Sequence, residues 1–137
     1  MSYALSTTLH TTFEDAVERT RKALAEQGFG VLSEIDMKAT LKEKLGEDIE
    51  DYTILGACNP TLAHRAVNAD RQIGLLLPCN VAVRADPTTG GHAVIVDAMD
   101  PQVMVQLSDE PGLRAVADEA AAKLQAAIDS LQSADVR

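Results

Sequence analysis

The stretch "DEPGLRAVADEAAAKLQAAIDSLQ", residues 109–132, constrains this chain more than any other. Leu113, Val116, Ala120, Leu124, Ala127, Ile128 and Leu131 recur at helical spacing and form one apolar stripe, with polar and charged residues between them. A helix of this kind draws its stability from tertiary packing of the apolar face, so the stripe demands a covering layer. That layer has to come from upstream, where short segments rich in β-formers alternate with helical ones.

"YALSTTL" (3–9), Phe29 to about Ile35, "YTILGA" (52–57), residues 80–85 and "HAVIVDAM" (92–99) read as strands. Between the first two lies "TFEDAVERTRKALAEQG", with Thr12 as N-cap, Asp15 three positions on, and Phe13, Val17, Thr20 and Leu24 on one side. Gly28 ends that helix. Asp36 caps a short helix, "KATLKEKLG", in which Leu41 and Leu45 share a face and Gly46 is the stop. Asn59 is an N-cap residue followed by proline at the first helical position, and the helix it starts runs through Ala69. In "QIGLLLPCNVAVRAD" the spacing predicts an extended segment at 73–76 and a turn at Pro78–Cys79 before the strand. "DPTTGG" is a hairpin turn by composition. Asp100-Pro101 repeats the Asn59-Pro60 grammar, and the β-branched "QVMVQL" behind it is read as a short helix rather than a strand.

The resulting order, βαβαβαββα, describes an α+β fold: a small open sheet of about five strands with helices packed mainly on one face. With 137 residues the chain is expected to be a single domain over 1–137, with residues 134–137 as a frayed tail. Aromatic residues are only 3% of the chain, so the core must be aliphatic. Five strands in a small domain leave a bare face or edge, and pairing with a second copy is one way to cover it.

Charge and composition narrow the partners. A net charge of −9 without a basic run disfavours nucleic acid and anionic membranes. The N-terminal residues show no secretory pattern and the longest apolar run is too short to span a bilayer, so a cytoplasmic location is expected. Two cysteines in such a chain are expected to be reduced. They form no CxxC or zinc-knuckle spacing, and histidines at 10, 64 and 92 add no local metal signature, so no metal site is expected, and the sequence leaves the question of a cofactor open.

Several motifs occur in order: Gly30-Val31-Leu32 with Glu34 and Asp36, Lys38 to Gly46, Gly56-Ala57-Cys58-Asn59-Pro60, Gly74 to Val81 with its Pro78-Cys79-Asn80, and later Asp100-Pro101. In this the chain resembles the domain-of-unknown-function family 302 over about residues 12 to 130. The resemblance implies a compact α/β domain that forms homodimers, and it favours the short helix after Pro101. It carries over no catalytic residue, because the family's biochemical role is not settled.

The residues themselves point to the two Cys-Asn pairs. Cys58 stands just before a helix start, where unpaired N–H groups and the helix dipole favour negative charge. This makes Cys58, Asn59, Cys79 and Asn80 the candidate ligand-binding set, for a small anionic or thiol-reactive ligand. The plainer reading has Cys58 and Cys79 as small buried hydrophobes and both asparagines as turn and cap residues. If the two cysteines meet, a reversible disulfide or two thiolate ligands for a soft metal become available, although spacing alone asks for neither. A cysteine-dependent redox or transfer enzyme, with Cys58 as nucleophile and Cys79 as resolving thiol, is the alternative. Cys58, Cys79, His64 and Asp97 are its catalytic candidates. His64 is placed by helical spacing on the solvent side. Asp97, inside "AVIVDAM", is the most unusual acid: buried it needs a partner, whereas on the wet face of a half-buried strand it needs none.

Overall fold

The computed structural model describes residues 3–135. Five strands, β1 (Ala4–Leu9), β2 (Gly30–Asp36), β3 (Tyr52–Cys58), β4 (Cys79–Ala85) and β5 (Val94–Met99), form one sheet in the order β1-β5-β4-β3-β2. Every neighbouring pair is antiparallel. The helices are α1 (Phe13–Glu26), α2 (Met37–Leu45), α3 (Pro60–Ala69), α4 (Val103–Leu107) and α5 (Leu113–Asp135). This is the α+β architecture expected from the sequence, with helices packed on one face of the sheet.

Period two along the strands separates the two faces. Leu55 and Ala57 on β3, Val81 and Val83 on β4, and Val94, Val96 and Ala98 on β5 point inward and are buried. α1 and α5 cover them, and all seven stripe residues of α5 are buried. Each large aliphatic side chain so buried contributes roughly 1.5–3 kcal/mol. On α1 the fully buried residues include Thr20 and Leu24, while Phe13 and Val17 pack against the core from its margin.

The apolar interior is divided. One cluster lies between the sheet, α1 and the C-terminal half of α5, around Leu24, Phe29, Leu55, Val81 and Leu124. The second joins α3, α4 and the N-terminal half of α5 through Leu62, Ile73, Met104, Leu113 and Val116. α5 is long enough to serve both, and the seam between them is where the cysteines lie.

Local signals account for most element ends. Thr12 accepts from the Asp15 N–H at 3.2 Å, Asp36 from Ala39 at 2.9 Å and Asn59 from Leu62 at 3.3 Å, each through a side-chain oxygen. Gly46 closes α2 with φ +70°, a left-handed conformation that glycine adopts without strain. The helix after Pro101 is α4, and the Asp100 carboxylate accepts from the Gln102 N–H at 3.0 Å.

Residues 73–76 depart from expectation. They are not extended but belong to a 3-10 helix, Arg71–Leu76. Asp70 starts it by accepting from the Gln72 N–H at 3.0 Å, and Ser108 holds the same carboxylate with a 2.8 Å bond. The strand expected from residue 92 begins at Val94, because Pro87–Thr89 form a second 3-10 turn followed by Gly90 and Gly91. α5 continues through Asp135. Of the tail expected to fray, residues 136 and 137 lie outside the described residues.

Candidate functional site

Cys58 ends β3 and Cys79 begins β4 on the neighbouring strand. The register pairs Ala57 with Cys79, so Cys58 stands one residue beyond that pair, at the same end of the sheet. Both side chains line one cavity of about 30 Å³. A space of that size holds about one small molecule such as water, or an ion, and no drug-sized organic ligand.

The wall comes from both apolar clusters. Phe29, Ala57 and Cys79 contribute from the sheet side, and Leu62, Ala66, Met104, Val116 and Ala120 from the helical side. Leu77 and Pro78 complete it, joined by a cis peptide bond. Close packing at this end depends on Gly56: a Cβ there would come within 2.2 Å of Ser33 Oγ and 2.9 Å of Pro78 Cγ.

The two thiols differ in environment. Cys79 is 8% exposed and Cys58 is half-buried, and both are free. Burial, with a further contribution from the nearby Cys58, pushes the Cys79 thiol from an ordinary 9.0 up to about 11. Cys79 is therefore a protonated thiol at neutral pH.

Asn59 also lines the cavity, but its amide is committed. Its Oδ1 accepts from the Leu62 N–H at the start of α3, and its Nδ2 donates to the Gln27 carbonyl at 3.5 Å. The second bond reaches back to the end of α1, where Gly28 at φ +84° lets the amide come within 3.0 Å of where a Cβ would stand. Asn59 thus ties α1 to α3.

The remaining candidates lie elsewhere. Asn80 points to the opposite, open face of the sheet and is exposed. His64 is exposed on α3, with Nε2 at 3.2 Å from Asn68 Nδ2 one turn later. Asp97 is half-buried on the open face of β5, where it accepts from Ser6 and pairs with Arg84 at 3.3 Å. The structure therefore brings Cys58, Asn59 and Cys79 together and separates them from Asn80, His64 and Asp97.

Two groups went unnoticed in the sequence. Ser6 and Arg84 partner Asp97 from strands on either side of β5, which only the register reveals. Met104, 3% exposed, lines the cysteine cavity from α4, and no local signal places that helix beside β3 and β4. Among the described residues, no group of three or more His, Cys, Asp or Glu is arranged to hold a metal ion. No described helix is long and apolar enough to cross a membrane.

The open face holds a shallow groove of about 480 Å³ among Tyr3, Tyr52, Ile54, Ala82, Asp97 and Met99. It sets charged Asp97 among apolar side chains, and it is shallower and more polar than the cysteine cavity, whose lining has no charged side chain.

The profile of a family described as "Domain of unknown function DUF302" matches residues 5–131. A crystal structure of an uncharacterized conserved DUF302 protein from Bacillus stearothermophilus is similar at 27% identity and a TM-score of 0.84. The match covers 94% of this chain and 98% of that one. No curated protein matches the sequence.

Proposed function

This chain belongs to the DUF302 family, and from that premise we propose that it is a homodimeric binding domain whose Cys58–Cys79 cavity takes a small thiol-reactive ligand. One observation carries the reading: two cysteines 21 residues apart in sequence line the same cavity, one of them half-exposed at its rim. Of the two ligand classes the sequence suggested, the geometry favours the thiol-reactive one. An anion would need free donors, and the Asn59 amide is already engaged on both sides. The lining is otherwise apolar or sulfur-bearing.

A thiol–disulfide enzyme is the weaker reading. Its resolving step needs Cys79 as a thiolate, and burial keeps that thiol protonated at neutral pH. Binding by the exposed Cys58 with Cys79 behind it does not depend on a fast second attack. The same proposal includes a second copy of the chain on the open face of the sheet. That face carries an acid and a base side by side in Asp97 and Arg84, so it is complementary to itself under a twofold rotation.

Alkylation of the native reduced protein with iodoacetamide, mapped by peptide mass spectrometry, tests the site. Cys58 is expected to be modified while Cys79 is protected until the chain is unfolded. Two inert thiols, or Cys79 reacting first, would sink the reading. Sedimentation at twice the chain mass, lost on Arg84→Glu, is the expected result for the dimer, and a monomer at all concentrations removes that part.

A further inference from the structure

We propose that Cys58, Cys79 and Met104 form a three-sulfur site for a soft monovalent cation of the copper(I) class. The inference rests on the thiol reading above and names its ligand. Both cysteines of the chain and one of its four methionines line a single cavity. The three come from separate places, the end of β3, the start of β4 and α4, so the convergence is a product of the fold and not of local sequence.

Donor chemistry sets the ligand class. Thiolate and thioether sulfur are soft donors that select copper(I) over hard cations, which require oxygen. The cavity offers no carboxylate, and its one amide is already bonded to Gln27 and Leu62. Structural zinc takes four ligands from Cys, His and carboxylates, and among the described residues no such cluster exists. A d10 monovalent ion accepts two or three sulfur ligands, which is the number present.

Size and electrostatics agree. A cavity of about 30 Å³ accommodates an ion and excludes an organic ligand. The bound cation displaces both thiol protons, that of buried Cys79 included; the two thiolates and one monovalent cation then leave a single negative charge, and the positive end of α3 begins at the adjacent Asn59-Pro60. Half-buried Cys58 is the point of entry, while Cys79 and Met104 are out of reach of solvent. Binding is a substitution without electron transfer: each S–H bond breaks as a sulfur–copper bond forms, two protons pass to water, and copper remains copper(I).

The test is an anaerobic titration of the full, reduced protein with copper(I) in the presence of the colorimetric chelator bicinchoninate. One equivalent per chain is expected to be withheld from the chelator. Cys58→Ser is expected to abolish the retention. Met104→Leu, which keeps the volume and apolarity of the wall, is expected to weaken it by at least the roughly tenfold that loss of an outer-shell partner alone would cause. Bicinchoninate keeping all the copper overturns the proposal, as does Met104→Leu retaining copper as tightly as the parent. Iodoacetamide labelling in parallel separates the failures. Cys58 that alkylates without holding copper refutes the cation and leaves the thiol site standing. Cys58 that does neither removes both.

Discussion

Cys58-Asn59 and Cys79-Asn80 are the same dipeptide placed in opposite ways. The first closes β3 and opens a helix, so its cysteine is half-exposed and its asparagine is drawn inward to bond Leu62 and Gln27. The second opens β4 from a proline, so strand alternation buries the cysteine and turns the asparagine to the open face. What differs is the element that follows: a helix pulls Asn59 into capping, whereas a strand sends successive side chains to opposite faces. The fold thereby converts a repeated dipeptide into one accessible thiol and one hidden thiol at a shared cavity.

The largest expected effect breaks that asymmetry with pH. Cys79 keeps its proton in the folded protein until about pH 11, whereas in the unfolded chain it ionises near 9.0. A raised folded-state pKa contributes stability that is fully present below the unfolded value and is lost as pH rises through the folded one. Stability from this group should therefore fall by about 2 kcal/mol between pH 9.0 and 11, approaching about 3 kcal/mol in all above that range. Denaturant midpoints measured across that range should show the loss, and Cys79→Ala should flatten it. Cys58→Ala should leave most of the slope, since burial is the larger cause and the neighbouring thiol the smaller. Equal slopes in the parent and in Cys79→Ala would mean that Cys79 is wetter than its place in the wall implies.

Next in size is the comparison of serine substitutions. Cys79→Ser puts a hydroxyl into an apolar wall, at about 1–3 kcal/mol from mutational precedent for unpaired buried polar groups. Cys58→Ser at the half-exposed rim should shift stability by under about 0.5 kcal/mol. Urea unfolding of the two variants measures the gap. A gap of zero would mean that the thiols share one environment and that the distinction between rim and wall is wrong.

Much of this arrangement was legible in the sequence where the cause is local. The caps at Thr12, Asp36 and Asn59 and the apolar stripe of α5 depend on residues within a turn or two, and each is found as read. Residues 73–76 read as extended from the sequence but belong to the 3-10 helix Arg71–Leu76, because its start is anchored by Ser108, 38 positions away, through Asp70. The candidate site divides on the same line. Cys58 and Asn59 could be placed at a helix start, but Asn80 was grouped with them on identity alone, and the strand register sends it to the other face. Met104 was invisible as a cavity residue, since its neighbours come from α3, α5 and the ends of two strands. Asp97 stands half-buried on the open face, the plainer of its two readings, while its partners Ser6 and Arg84 emerge only from the strand pairing.

Asn59→Ala sharpens the comparison at the asparagines. It removes the α3 cap and the tie to Gln27, and loss of such a cap costs about 1 kcal/mol, up to roughly 2. Urea unfolding should report this loss, and hydrogen exchange should show it first at Leu62, whose N–H the Asn59 side chain receives at 3.3 Å, and less at Ala63, whose 2.8 Å bond to the Asn59 backbone carbonyl the variant keeps. Unchanged exchange at those amides would mean that α3 is held by its packing alone.

The smallest effect belongs to Asn80→Ala and is informative because it is small. An exposed side chain away from any cap should change stability by less than about 0.5 kcal/mol. That holds for the single chain, in which the groove around Asn80 is open to solvent. If a second copy covers this face, stability gains a dependence on protein concentration, and Asn80→Ala acts on that dependence. Unfolding measured over a hundredfold range of concentration separates the two contributions. An effect near zero at low concentration that grows at high concentration places Asn80 in the contact between copies. An effect near zero throughout leaves Asn80 outside any such contact, and the pairing would then have to be sought at the β1 or β2 edge, where Leu32 is 72% exposed.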